Sequence, residues 1–161
     1  MILSGQTIRK LCQSHTDGVD IFQGMLYPFT ERAVQNGKSY GLSIAGYDIR
    51  LKDGIRLYPG EFQLGISVER FKMPNDVMGF VKDKSSWARK GISVFNTVIE
   101  PGWEGYLTLE IVNLSKEEVL IKDGDPIAQV IFQTTDLEVE TPYTGKYQNA
   151  EQIAQEAIDE N

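Results

Sequence analysis

Three groups of residues in this 161-residue chain have types and spacings that suit chemistry. The first is Lys84-Ser85-Ser86-Trp87-Ala88-Arg89-Lys90-Gly91. Gly91 reads as a helix stop, so a short helix is expected before it. Ser85 and Arg89 then share a face. Serines at a helix start offer hydroxyls beside free backbone amides, and with adjacent cations they make a natural phosphate site. A capped surface helix accounts for the same residues. The second group is Val98-Ile99-Glu100-Pro101-Gly102-Trp103-Glu104-Gly105, a strand entering a tight Pro-Gly turn. Its tryptophan and strand edge suit the covering of a flat base. A plain hairpin with a packed tryptophan is the alternative. The third is Glu110. Alternation along Tyr106–Asn113 puts Leu107, Leu109 and Ile111 on one face and Tyr106, Thr108, Glu110 and Val112 on the other. A carboxylate among uncharged neighbours suits proton shuttling if that face is buried, and is a solvated strand residue if it is wet.

Other chemistries lack their residues. His15 is the single histidine, in an expected loop with Thr16-Asp17-Gly18, so no Ser-His-Asp or Cys-His arrangement exists. Cys12 is the single cysteine. It permits no internal disulfide, fits a reducing compartment, and reads as a small apolar residue of an N-terminal helix. No cysteine pair or cysteine–histidine cluster suits zinc, and the zinc-deaminase signature is missing. There is no Gly-x-x-x-x-Gly-Lys loop.

The elements that must position these residues are mostly strands. Ser4–Gln13 is expected to be a helix capped by Ser4, with Ile8, Leu11 and Cys12 at helical spacing. Strands are expected at Tyr47–Leu51, Phe62–Val68, Val77–Val81, Ile92–Phe95, Tyr106–Asn113, Glu118–Ile121 and Ile127–Phe132. Asp53-Gly54, Pro59-Gly60, Pro74-Asn75, Pro101-Gly102 and Asp123-Gly124-Asp125 punctuate them. Such a pattern suits a sandwich, jelly roll or barrel. Pro142–Tyr147 reads as a loop and Asn149–Ile158 as a polar helix. The expected organisation is one mainly β domain over 1–161: an N-terminal helix within 1–15, a β core at 43–133 and a tail at 142–161.

A net charge of −7 argues against a nucleic-acid partner, though a local cation cluster suffices for a small anion. No apolar run approaches the ~18 residues of a membrane helix. The opening MILSGQTIRK lacks the pattern of a secretory signal, so a cytoplasmic location without membrane association is expected.

In chain order, GYDIRL (Gly46–Leu51), MPNDVMGFVKDKSSWARKG (Met73–Gly91), VIEPGWEGYLTLEIVN (Val98–Asn113), GDPIAQVIF (Gly124–Phe132) and GKYQ (Gly145–Gln148) resemble the dCTP deaminase branch of the dUTPase superfamily. The resemblance implies a distorted jelly roll of the dUTPase-like type. It implies a homotrimer with active sites between subunits. It also implies deamination of dCTP to dUTP and ammonia without zinc, with Mg2+ on the triphosphate. Residue by residue, it makes Glu110 the general acid/base. Ser85 and Arg89 position the water and stabilise the tetrahedral state at C4. Lys84 and Ser86, with the amides of Trp87 and Ala88, hold phosphates. Glu100 stands at the position that holds the sugar 3′-hydroxyl, where the family usually has aspartate. Thr108 and Leu109 flank the base, and Gln129, Tyr143 and Lys146 close over the substrate.

The chain departs from that family pattern in two places. Ser93–Val98 is shorter and lacks the usual histidine-containing stretch, which leaves Asn96, Thr97 and Val98 as candidate base contacts. The tail is shortened between Tyr143 and Lys146, and Ala150 replaces a glutamine. The resemblance therefore leaves alternatives: a bifunctional enzyme forming dUMP, a plain dUTPase, a deaminase of dCMP or a modified nucleotide, or a non-catalytic nucleotide-sensing trimer.

Overall fold

The computed structural model describes residues 1–13 and 24–159; the expected loop around His15 lies outside them. Helix α1 (Gly5–Gln13) forms as expected. Ser4 Oγ accepts the Thr7 N–H at 3.5 Å in the manner of an N-cap, and Ile8 is fully buried. The strands are β1 (Leu26–Tyr27), β2 (Ala33–Gln35), β3 (Lys38–Leu42), β4 (Tyr47–Arg50), β5 (Ile55–Leu57), β6 (Phe62–Lys72) and β7 (Val77–Asp83). After the short helix α2 (Ser85–Ala88) come β8 (Ile92–Val94), β9 (Val98–Ile99), β10 (Glu104–Asn113), β11 (Val119–Ile121) and β12 (Pro126–Thr134). No described helix is long and apolar enough to cross a membrane.

One sheet runs β1-β6-β10-β8, a second runs β2-β3-β4-β12-β7-β9, and β11 pairs with β5. The pairings are antiparallel. The core contains Ile49 of β4, Leu109 and Ile111 of β10, and Ile127, Val130 and Phe132 of β12, all fully buried. Each such side chain contributes about 1.5–3 kcal/mol. Gly65 marks a close approach: a Cβ there would lie 2.5 Å from Leu51 Cδ1, so a side chain at that point of β6 would push Leu51 aside.

The longest pairing, β6 with β10, is irregular. Thr108 lies opposite Ile66 and Tyr106 opposite Arg70, so Ser67, Val68 and Glu69 bulge out against Leu107. Ser67 Oγ accepts the Leu107 N–H at 2.9 Å and donates to Glu69 O at 2.6 Å. The expected alternation holds, with reduced burial at the bulge. Leu109 and Ile111 enter the core, but Leu107 is half-buried.

The expected tail helix at Asn149–Ile158 does not form. The tail instead lies along the free edge of β10. Asn149 N–H donates to Glu104 O at 2.8 Å, Tyr106 N–H donates to Ala150 O at 3.0 Å, and Gly105 and Ala150 form a parallel bridge. Gly105 has φ 147°, and a Cβ there would meet Ala150 N at 2.6 Å, so glycine admits the tail. A short polar helix is marginal alone, and unpaired strand groups offer its backbone better partners.

Candidate active site

A cleft of ≈ 1020 Å³ opens beside β10, between the β9 hairpin and the tail. Glu110 and Thr108 line it from β10, Asn96 and Glu100 from the hairpin, and Tyr143 and Gln155 from the tail. The hairpin turn is set by Pro101 and by Gly102 at φ 80°, with Trp103 N–H donating to Glu100 O at 3.1 Å. Trp103 borders the cleft yet is buried. Its Nε1–H donates to Tyr147 O at 2.8 Å and its ring packs 6.2 Å from Phe71. It anchors the tail as well as walling the cleft.

Glu110 is half-buried, and its carboxylate enters none of the ion pairs of the described residues. Its backbone is held. Glu110 N–H donates to Asn96 Oδ1 at 3.0 Å, and Asn96 Nδ2 donates to Thr108 O at 2.7 Å. Both ends of the Asn96 amide are thus committed to β10. Thr97 and Val98 remain exposed on the hairpin, and Thr97 O accepts the Val81 N–H at 3.2 Å. The charged residues lining the cleft are Glu100, Glu110 and Glu156; no lysine, arginine or described histidine lines it.

The α2 segment stands elsewhere. Ser85, Ala88 and Arg89 are exposed, and Arg89 N–H donates to Ser85 O at 3.1 Å. Trp87 is buried beneath them. Its Nε1–H donates to Pro126 O at 2.7 Å, and Lys38 and Lys90 lie over its ring at 4.6 and 5.1 Å. Lys84 is also buried, its Nζ 2.7 Å from Asp48 Oδ2. Gln129 Nε2 donates to Asp48 Oδ1 at 3.1 Å and to Ser43 Oγ at 3.3 Å. Ser86 Oγ is buried without a partner. Lys146 is exposed, over the Tyr147 ring at 5.5 Å, and donates to Ile158 O.

Of the expected site residues, the cleft gathers Asn96, Thr97, Val98, Glu100, Thr108, Glu110 and Tyr143. Lys84, Ser85, Ser86, Trp87, Ala88, Arg89, Leu109, Gln129 and Lys146 lie outside it. Three of these side chains are engaged within the fold. Leu109 has its side chain in the core, because alternation turns it away from Glu110. The Trp87 indole is the anchor of α2, and the Lys84 ammonium is held by Asp48. Sequence reasoning missed Asp48, whose signal was a carboxylate between the apolar Tyr47 and Ile49. It also missed Gln155 and Glu156, hidden by the expected helix.

A buried ion pair lies behind the cleft. Glu69, in the bulge, is fully buried; its carboxylate accepts Arg50 N–H at 2.8 Å and Arg50 Nε–H at 2.7 Å. Burial pushes the Glu69 carboxyl above its ordinary value, while Arg50 pulls the other way. In α1, burial pushes the Cys12 thiol up to about 12.

A model of the dCTP deaminase-like family matches residues 48–135. The chain belongs to that family. The matched span of this dCTP deaminase-like chain includes α2, the hairpin and β10. It is 33% identical over 138 residues to the dCTP deaminase of Thermococcus kodakarensis, covering 81% of this chain and 88% of that protein. It is 36% identical over 168 residues to the dCTP deaminase of Nautilia profundicola, covering 84% and 90%. Among solved structures, the EIAV dUTPase superposes with a TM-score of 0.56 at 21% identity, covering 76% of this chain and 98% of that one. A dUTPase of Staphylococcus aureus phage phi11, described with a structural Mg(II) ion, gives a TM-score of 0.52 at 18% identity, covering 63% and 84%. The fold is the expected dUTPase-like jelly roll.

Proposed function

We propose that the protein hydrolyses dCTP to dUTP and ammonia, with Glu110 as the proton carrier and Mg2+ entering on the nucleotide's triphosphate. The observation that supports this most is the half-buried Glu110, free of any ion pair among the described residues, facing the same cleft as Thr108 and the hairpin. A carboxylate with no fixed cation can accept and release protons in turn. Glu110 takes a proton from water as the oxygen bonds to C4 and passes it to the ring nitrogen N3. It then takes the proton of the new C4 hydroxyl and delivers it to the amine as the C4–N bond breaks. Water supplies the oxygen of the new carbonyl, and ammonia leaves.

The cleft is acidic and the substrate is a polyanion, so cations must come from elsewhere. Ser85 and Arg89 are exposed on α2, and the Ser86 hydroxyl is unpartnered. A second copy placing α2 at the cleft would supply the water-positioning and phosphate-binding groups. The reading therefore includes a homotrimer with active sites between subunits. The exposed Phe62 and Phe95, stacked with centroids 6.5 Å apart, offer apolar contact area beside the cleft. Tyr143 and Lys146 belong to the segment that closes over the nucleotide.

The test is product analysis after separate incubation of dCTP, dCMP and dUTP with Mg2+. Ammonia and dUTP from dCTP are expected, with Glu110→Gln still assembled but without turnover. Normal deamination by that variant would refute the role of Glu110. Glu100, a second carboxylate in the same cleft, favours one further reading, in which dUTP loses pyrophosphate to give dUMP. Pyrophosphate release from dUTP distinguishes it.

A further inference from the structure

The backbone ladder on the cleft side of β10 stops early. β8 pairs with β10 at Asn113, Val112 and Ile111, and β8 ends at Val94. Phe95 N–H still reaches Glu110 O at 2.9 Å, and there the chain turns away into the hairpin. The next two groups on β10 are Glu110 N–H and Thr108 O, and both are met by the one side-chain amide of Asn96. That amide carries the same carbonyl and N–H as a peptide group. It continues the ladder where the main chain has left. Beyond it the tail takes over at Tyr106 and Glu104. The partners along this edge of β10 are therefore backbone, then one side chain, then backbone again.

The bracketed stretch is Thr108-Leu109-Glu110. Leu109 fixes it from the core side, being fully buried, and Asn96 fixes it from the cleft side. We propose that Asn96 is a positioning residue, which sets the direction of the Glu110 carboxylate through the β10 backbone and does not itself read the base. This rests on Glu110 being the proton carrier. The Asn96 Oδ1 and one of its two Nδ2 hydrogens are engaged by β10. A misplacement of a catalytic group by an ångström is enough to cost about 100-fold in rate.

The experiment compares Asn96→Ala, Asn96→Asp and Glu110→Gln in the assembled protein. It uses steady-state kinetics on dCTP with Mg2+, and hydrogen exchange at the Glu110 amide. Asn96→Ala is expected to lower kcat about 100-fold with KM nearly unchanged. Asn96→Asp keeps the acceptor for Glu110 N–H and is expected to recover part of kcat. The Glu110 amide should exchange faster in Asn96→Ala, by roughly tenfold or more, with the amides of Ile111 and Asn113 unaffected. A rise in KM at constant kcat would make Asn96 a base-reading residue and overturn the proposal. So would an unchanged Glu110 exchange rate. If Glu110→Gln retains turnover, the proton-carrier reading fails by itself, and the exchange measurement still decides whether the clasp exists.

Discussion

Around the cleft, polar groups stand on a strand edge whose partners change from β8 to Asn96 to the tail, whereas on α2 they stand on a short turn locked from beneath. The cleft offers carboxylates, a hydroxyl and open volume. α2 offers a hydroxyl, a guanidinium and a buried unpaired serine oxygen. One strand, β4, serves both. Asp48 holds Lys84 at the start of α2, and two residues on, Arg50 holds Glu69 in the bulge behind the cleft. Neither region by itself brings exposed cations together with an unpaired carboxylate. On the proposed reading, the chain divides one chemistry between two surfaces, each resting on its own buried ion pair.

The strongest way to break this division is to disable each half separately. Glu110→Gln is expected to lose about 10²–10⁴-fold in turnover, measured by ammonia release, with secondary structure unchanged. Arg89→Ala should also be nearly inactive. Mixing and reassembling the two variants should restore part of the activity, because some interfaces then pair an intact cleft with an intact α2. No recovery on mixing would place both halves of the site in one subunit.

The foundations can be compared next. Arg50→Met leaves Glu69 buried and unpaired, and is expected to cost about 3–5 kcal/mol in a denaturation experiment. Lys84→Met should cost less, since Asp48 keeps its bond from Gln129 and is not fully buried. The pH dependence follows from the sign of the Glu69 shift. A carboxyl raised in the folded state favours folding below its unfolded value of ~4.3, and that contribution is lost as pH rises through the folded value. The deficit of Arg50→Met should therefore shrink as pH falls from about 7 towards 5.

The smallest expected effect concerns the tail wall of the cleft. Gln148 Nε2 donates to Gly102 O at 2.9 Å and Gln148 Oε1 accepts Glu104 N–H at 2.8 Å, joining the tail to the hairpin and β10. Gln148→Ala should loosen the tail by about 1 kcal/mol per lost bond, seen as faster tail proteolysis and a raised KM with global stability nearly intact. Nothing on α2 should respond to it.

Much of this was legible in the residues themselves. Alternation placed Glu110 opposite Leu109 and Ile111, Gly91 ended α2, and Pro101-Gly102 specified its turn. These are local rules acting on local neighbours. What escaped depended on distant partners. Leu107 is only partly covered, beside a bulge on β6 that nothing near Leu107 reports. The tail had the spacing of a helix, yet its backbone found the open edge of β10. Lys84 looked like a free cation, and only folding brings Asp48 to it across 36 positions. Leu26–Tyr27 and Ala33–Gln35 are strands too short for any periodicity to announce.

The bulge at Ser67–Glu69 has a further effect on how the molecule tolerates change. Sliding β10 by one position past β6 would turn every side chain to the opposite face, and the Ser67 hydroxyl, bonded at once to Leu107 and Glu69, fits a single phase of that pairing. The phase is written on the flank of β10 away from the hairpin. The register of β10 on β6 is therefore independent of the length of the Ser93–Val98 segment, and a change of length there is tolerated only where it still sets Asn96 against Glu110 N–H and Thr108 O.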